Sequence, residues 1–132
     1  MRIKIKIGIS LLMWFVLSNC NKYSRDNFKD FPECVGDFEW RETIVDGNTV
    51  LEQADINTKF GIRIRKNGRV TFYKNSQEYT QGDAIVRAEP SRTVITVTTF
   101  EEKYSLILYP ESKQLEVSKY PFNYYRNVFL KH

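Results

Sequence analysis

The chain has 132 residues, 42% of them hydrophobic and 27% charged, and its formal net charge is +4. This length accommodates one domain. Arg2, Lys4 and Lys6 are the only charged residues among the first nineteen, and the rest of the chain has 17 basic and 16 acidic residues. Residues 20–132 are therefore almost neutral and contain no run of like charge that could form a basic surface along a nucleic-acid backbone. We expect no nucleic-acid partner.

The N-terminus places these basic residues before an apolar run, residues 7–17, that only Gly8 and Ser10 interrupt. This order is typical of a secretory signal. The run has 11 residues, whereas a membrane-spanning helix needs about 20. The stretch that follows, Leu17-Ser18-Asn19-Cys20, resembles the lipobox of bacterial lipoproteins, although that family has a small residue where Asn19 stands.

The lipobox resemblance implies a processing scheme. Residues 1–19 are then a signal peptide, the thiol of Cys20 carries a diacylglyceryl group, and the new N-terminus is acylated with a fatty acid such as palmitate. Residues 20–33 are a lipidated tether, and the membrane is a partner through Cys20. Because Asn21 rather than Asp follows Cys20, we expect the outer membrane of a gram-negative cell envelope.

A second cysteine, Cys34, follows at the end of the tether. If Cys20 is a thioether, Cys34 is unpaired, and we expect it to be a small buried hydrophobic residue. The alternative is an ordinary secreted protein in which Cys20 and Cys34 form a disulfide.

From Cys34 onward, short β segments alternate with turn signals and no helix is predicted. The first strand has Phe38, Trp40 and Ile44 on one face and Thr43 on the other, with Glu42 breaking the apolar face. Residues 53–58 are a loop or at most one helical turn. The predicted strands cover residues 37–45, 49–52, both arms of a hairpin around Asn67-Gly68 with its second arm at 69–74, and then 78–81, 84–88, 93–100, 104–109, 115–119 and 124–130.

The hairpin around Asn67-Gly68 has two possible registers. A two-residue loop would place arginines on the apolar face, whereas a three-residue loop pairs Ile64 with Val70 and Ile62 with Phe72. Because register follows the buried face, we predict the three-residue loop, a type I turn with Gly68 at positive φ in a G1 bulge.

About eight strands joined by hairpins form an antiparallel meander. An open sheet of this kind has two edges to protect, and closure into a barrel removes them. The sequence therefore predicts an all-β domain over residues 34–132, a small antiparallel meander closed or nearly closed into an eight-stranded barrel.

Three stretches, "GDFEW" (36–40), "IRKNGRVTFYKN" (64–75) and "YYRNVFL" (124–130), together resemble the small lipocalin-like (calycin-type) lipoproteins of gram-negative envelopes. In calycins a Trp on the first strand lies across one barrel end and an Arg of the final strand packs on it. The resemblance implies that Trp40 and Arg126 form this pair.

Two alternatives to that pair stay open. Phe38 competes with Trp40 for the position on the first strand. Arg126 could instead bind an anionic ligand at the barrel mouth, although Arg stacks on aromatic rings in many proteins without any ligand.

Few residues that carry catalytic chemistry are present. The only His is His132, the last residue, which leaves no Ser–His or Cys–His pair within the chain and no multi-His metal site. No Gly-rich phosphate loop and no paired-Cys zinc spacing occur. Glu101-Glu102 is predicted to be a solvated turn, so we expect no catalytic residue, no metal, no cofactor and no enzyme.

Tyrosines gather towards the C-terminus, among them Tyr104, Tyr109, Tyr124 and Tyr125. Tyr suits half-buried and interface positions, so these four form either core and rim or a protein-binding face. Two functions follow for an anchored, non-enzymatic envelope module: it holds a small apolar ligand in a lipocalin-like cavity, or it binds an envelope protein as an inhibitor or accessory subunit with a filled core.

Overall fold

Antiparallel strands make up almost all of the regular structure in residues 28–132, which are the residues that this computed structural model describes. The only helical elements in that part of the chain are two single 3-10 turns, Pro32–Cys34 and Gln53–Asp55. The strands are β1 (Gly36–Val45), β2 (Asn48–Glu52), β3 (Phe60–Ile64), β4 (Arg69–Lys74), β5 (Gln77–Ala88), β6 (Thr93–Thr99), β7 (Lys103–Tyr109), β8 (Gln114–Val117) and β9 (Arg126–Lys131).

Strand β1 closes the sheet into a barrel because both of its edges are paired. On one edge its first half pairs with β3 and its second half with β2, and on the other edge it pairs with β9. The remaining strands pair in sequence order. Strands β1 and β3–β9 therefore form a closed eight-stranded antiparallel barrel with β2 as one extra strand, which confirms the predicted all-β barrel.

The β3–β4 hairpin has the predicted register. Ile64 pairs with Val70 and Ile62 with Phe72. The Gly68 amide donates to the Arg65 carbonyl oxygen at 3.0 Å, and the Arg65 amide donates to the Arg69 carbonyl oxygen at 2.9 Å. Gly68 has φ of 90°. These contacts define a three-residue loop with a bulge, as expected from the alternation of apolar residues.

We expect replacement of Gly68 by Val to lower the free energy of unfolding by about 1–3 kcal/mol, because a β-branched residue tolerates positive φ poorly. Urea titration monitored by far-UV circular dichroism measures the change. Asn67→Val at the preceding loop position is the control and loses only its side-chain contact to the Arg69 amide, 3.0 Å long. Equal losses for the two variants would contradict the role of positive φ.

A β-bulge in β1 corrects the predicted faces of that strand. Trp40 pairs with Phe129, but the next residue in register with β9 is Glu42, so Arg41 is the extra residue. Beyond the bulge the alternation is reversed, and Thr43 rather than Ile44 points inward and is buried. A bulge places two residues opposite one, which explains why Glu42 broke the apolar pattern of the sequence.

The predicted strands differ most from the structure at two places. Residues 78–81 and 84–88 belong to one strand, β5, which passes through Gly82 without a break. The last strand begins at Arg126, and Tyr124 and Tyr125 lie in the preceding loop. Tyrosines have a high β propensity, so the sequence alone favoured an earlier start.

The part of the predicted tether that the structure describes packs against the barrel. Phe28 is 1% exposed and Phe31 packs against the core. The Lys131 ammonium donates to the Glu33 carbonyl oxygen at 3.1 Å. Cys20, the predicted signal peptide and residues 20–27 of the tether lie outside the described residues. The described end of the predicted tether therefore contributes Phe28 and Phe31 to the packing of the barrel.

The two ends of the barrel are different. Phe31 and Glu33 line a groove together with Arg92 of the β5–β6 turn and Pro110 of the β7–β8 turn. We call this the entry end, because the chain joins the barrel there. The β4–β5 and β6–β7 turns and the β8–β9 loop lie at the opposite end. Within residues 28–132, no helix has the length and apolar character to cross a membrane.

Candidate functional site

Side chains fill the interior of the barrel. Every strand from β3 to β9, and β1, points at least one buried residue inward. The Phe72 ring lies 4.8 Å from the Tyr104 ring and 5.1 Å from the Tyr120 ring, measured between centroids. An eight-stranded barrel is just wide enough to be filled by side chains or to hold one small ligand. The large aromatic rings occupy the interior, so the barrel is filled by its own side chains.

Tyr120 and Phe122 of the β8–β9 loop cover the end opposite the entry end. Phe122 packs edge-on against Trp40 and Phe60, with centroid distances of 5.5 and 5.7 Å. The Tyr120 hydroxyl donates to the Tyr73 carbonyl oxygen. Burial raises the pKa of Tyr120 well above its usual value, which further favours the neutral form of the hydroxyl that donates this hydrogen bond.

A buried polar network connects the first strand to the last. Trp40 Nε1 donates to Thr43 Oγ1 at 3.1 Å, and that hydroxyl donates to Asn127 Oδ1 at 2.8 Å. The Asn127 amide nitrogen lies 2.9 Å from the Val117 and Phe122 carbonyl oxygens. Asn127 also contacts the Tyr124 carbonyl oxygen, at 3.1 Å. The network therefore holds the β8–β9 loop in place over the barrel.

The structure does not bring Trp40 and Arg126 together. Trp40 is fully buried and points inward, whereas Arg126 is exposed on the outer wall of β9. The Arg126 guanidinium contacts Glu116 instead, with Nη2 at 2.9 Å from Oε1. Asn127, the residue after Arg126, makes the link from the last strand to β1.

Phe38, the alternative to Trp40 on the first strand, does contact a cationic side chain of the last strand. Lys131 Nζ lies 5.9 Å from the centroid of the Phe38 ring, at the entry end. An ammonium over a ring at this distance is a cation–π contact. The expected kind of contact between first and last strand therefore exists, but between a different pair of residues.

The four predicted face tyrosines are divided between different places. Tyr104 belongs to the core at 6% exposure, and burial, with Glu102 nearby, raises its pKa to about 12. Tyr109 is half-buried at the entry end. Tyr124 and Tyr125 are exposed in the β8–β9 loop, the latter to 89%. Only these last two share a surface.

Two further exposed rings lie at the same end of the barrel. Phe100 is fully exposed in the β6–β7 turn, and Tyr79 near the start of β5 is 60% exposed. We define the aromatic end as Tyr79, Phe100, Tyr124 and Tyr125. In the part of the chain that the structure describes, only two other large apolar residues are exposed, Val50 and Ile85.

Contacts between their elements hold these four rings at one end. The Tyr79 ring packs on the Tyr120 ring at 5.4 Å, so the start of β5 touches the β8–β9 loop. The Lys119 ammonium forms an ion pair with Glu102 at 3.0 Å, which connects that loop to the β6–β7 turn. The packing of Tyr79 on Tyr120 restricts the Tyr79 ring and so reduces the entropy that this ring loses when it binds a partner.

Sequence reasoning missed Phe100 and Tyr79. The turn at Glu101-Glu102 was predicted, but Phe100 was assigned to the end of a β-branched strand. The position of this aromatic residue directly before a charged turn is the signal that would have placed Phe100 in the β6–β7 turn. No local signal marks Tyr79, because its exposure depends on a register shift between β4 and β5 beside Tyr73.

Cys34 is fully buried, as predicted for an unpaired thiol. Burial, with the neighbouring Glu33 carboxylate, raises its pKa to about 12. The side chain is therefore a neutral thiol at physiological pH, and a thiol is a poor nucleophile. Among residues 28–132, no three His, Cys, Asp or Glu side chains converge in a way that could hold a metal ion.

Comparison of the chain with protein-family models, with curated proteins and with solved structures finds no match. The barrel is consistent with a lipocalin-like fold, and this agreement rests on strand number, pairing and closure alone.

Proposed function

We propose that the chain is a non-enzymatic, lipid-anchored binding module of the cell envelope, and that it binds a partner protein through the aromatic end. The observation that carries this proposal is the position of four exposed rings on one end of a barrel whose interior is filled. Aromatic residues are enriched at protein interfaces and among the residues that contribute most to binding energy. Single exposed apolar residues are common on protein surfaces, so the proposal depends on four rings lying at one end.

The direction of the barrel supports an anchor at Cys20. Phe31 lines the entry end, and its amide donates to the Phe28 carbonyl oxygen at 3.2 Å. A chain from Cys20 to Phe28 spans at most about 29 Å. An acylated Cys20 would therefore hold the entry end towards the membrane and direct the aromatic end away from it. The outer membrane is the membrane that the residue after Cys20 favours.

A small apolar ligand inside the barrel is the function that a lipocalin-like fold most readily suggests. Ligand pockets need a few hundred Å³ of space lined by apolar groups. Here Trp40, Phe72 and Phe129 are fully buried in the position that such a ligand would take. The filled interior therefore favours the protein-binding alternative.

Photo-crosslinking tests the proposal. A benzoylphenylalanine at position 100 or 125 of the full-length protein in envelope membranes should give the same adduct mass from both positions. The matched control is Lys66, an exposed turn residue at the entry end, which should not give that adduct. Intact mass of the detergent-extracted protein reports whether Cys20 is acylated.

In the same preparation, we expect Phe100→Ala combined with Tyr125→Ala to reduce adduct formation, probed from position 79, by about tenfold or more, because interface hot spots contribute about 2 kcal/mol each. The melting temperature should be unchanged, since both rings are exposed. Equal adduct yields from positions 66 and 100 would overturn the partner site, and an unmodified Cys20 would overturn the anchor.

A further inference from the structure

A slot crosses the outer wall of the barrel where β3 has no side chain. Glu39 of β1, Gly61 of β3 and Tyr73 of β4 pair directly across the three strands. Their neighbours Phe38, Ile62 and Phe72 are buried, so this row points outward. Directly paired residues lie about 5 Å apart, so Glu39 and Tyr73 are separated by about 10 Å over the bare Gly61 backbone. The slot has a volume of about 380 Å³.

Nothing in the fold requires glycine at position 61. A Cβ built there would contact the Phe38 carbonyl oxygen at 3.5 Å and Tyr73 Cβ at 3.9 Å, which are ordinary van der Waals distances, and its φ lies outside the left-handed region. Gly82 of β5 is different, because a Cβ there would overlap the Thr98 carbonyl oxygen. A glycine inside a strand often marks the close approach of a ligand.

The walls of the slot carry an aromatic ring and balanced charges. Tyr73 forms one side, and the Arg63 guanidinium lies 5.7 Å from the centroid of its ring. Arg63 Nε also contacts Asp37 Oδ1 at 2.7 Å. On the other side Glu39 Oε2 contacts His132 Nε2 at 3.0 Å.

The two carboxylates of the slot, Asp37 and Glu39, are therefore balanced by two cations, the Arg63 guanidinium beside Asp37 and the Lys59 ammonium in the lining. Because these charges balance, the slot should favour neither a cationic nor an anionic ligand. Carboxylates only accept hydrogen bonds, and guanidinium and ammonium groups only donate them. A ligand that pairs with both kinds of group must donate and accept hydrogen bonds around its whole rim. Hydroxyl groups do both, and a ring that carries them also presents a C–H face to an aromatic side chain.

We propose that this slot binds one uncharged sugar ring of a glycan, lying over Gly61 between Tyr73 and Glu39. The ring hydroxyls donate to Asp37 and Glu39 and accept from Arg63 and Lys59. Gly61 admits the ring because a side chain there would occupy its place. The site is on the barrel wall and does not depend on a partner at the aromatic end.

An NMR titration tests the slot. The full-length protein, labelled with ¹⁵N in detergent micelles, is titrated with chitotetraose, maltotetraose and cellotetraose, and with tetra-alanine as a peptide probe. We expect saturable shifts for at least one glycan, at the amides of Gly61, Arg63 and Tyr73. The absence of a saturable shift with all three glycans would overturn the proposal, and so would equal binding of tetra-alanine.

Two substitutions separate binding from folding. Gly61→Leu fills the slot and should abolish the shifts, whereas Thr98→Leu adds the same side chain to the exposed wall of β6 and should retain them. Gly61→Ala places one methyl at ordinary contact distance, so the protein should fold and bind about tenfold more weakly. Unchanged affinity of Gly61→Ala would overturn the site, even if Gly61→Leu failed to fold.

Discussion

We expect Phe72→Ala to lower the free energy of unfolding by about 3–5 kcal/mol, the usual cost of deleting a buried aromatic ring. Phe72 is fully buried, and its ring contacts Tyr104 and Tyr120 at 4.8 and 5.1 Å. Truncation leaves a cavity in the middle of the barrel that neighbours on closed strands cannot readily fill. Urea unfolding monitored by far-UV circular dichroism measures the loss.

Phe100→Ala is a matched control for this prediction. The chemistry of the substitution is the same, but Phe100 is fully exposed in the β6–β7 turn. The free energy of unfolding should change by less than about 0.5 kcal/mol. If the two variants lost similar stability, the filled-barrel account of the interior would be wrong, and with it the reason for placing binding on the outer surface.

The second large effect is expected at Asn127, where Asn127→Ala should cost about 2–4 kcal/mol. Its amide nitrogen lies within hydrogen-bonding distance of the Val117, Phe122 and Tyr124 carbonyl oxygens, and its side-chain oxygen accepts a hydrogen bond from the Thr43 hydroxyl. Removal breaks all of these contacts at once, and the Phe122 and Tyr124 carbonyl oxygens then keep only the Tyr124 and Lys119 amides that already donate to them. Each buried polar group that loses a hydrogen bond in this way costs about 1–3 kcal/mol. Thermal or urea unfolding gives the value directly.

Asn123→Ala in the same loop is the control, because Asn123 is exposed. We expect its stability to stay within about 0.5 kcal/mol of the parent. Asn127→Asp refines the test: it keeps the shape but replaces the donor nitrogen by an acceptor oxygen facing carbonyl oxygens. At neutral pH this variant should be less stable than Asn127→Ala, and the opposite order would contradict the donor role.

Asn127 also connects stability to the proposed function. The loop that it holds carries Tyr124 and Tyr125, half of the aromatic end. Loss of the network would therefore disorder the binding surface before it unfolds the barrel. Local opening of this kind is expected where a loop is held by a few buried polar contacts.

Local signals were enough to predict several elements. The β3–β4 register followed from one turn residue, Gly68, and from which residues are apolar on each arm. Such a hairpin involves contacts between residues close in sequence, and a slip of one residue would turn every apolar side chain outward. The division of most of the chain into short antiparallel strands followed from the same alternation.

The sequence could not show where distant strands meet. The bulge at Arg41 is set by the pairing of β1 with β9, which joins residues more than 80 positions apart. It reverses the faces of β1 beyond Trp40 and brings Thr43 to Asn127. The expected contact of Trp40 with Arg126 did not form, because Arg126 points outward and contacts Glu116.

By itself, the sequence determined the class of the fold and the resemblance of its N-terminus to a lipoprotein signal, because both depend on the local order of apolar, polar and turn residues. Only the tertiary structure decided which tyrosines are buried and which are exposed. A Tyr side chain has an apolar ring and a polar hydroxyl and is stable in either place, so its environment is chosen by the packing of distant strands around it. The same packing placed Phe100 and Tyr79 at the same end of the barrel as Tyr124 and Tyr125, and left space over Gly61 where a Cβ would make only ordinary van der Waals contacts.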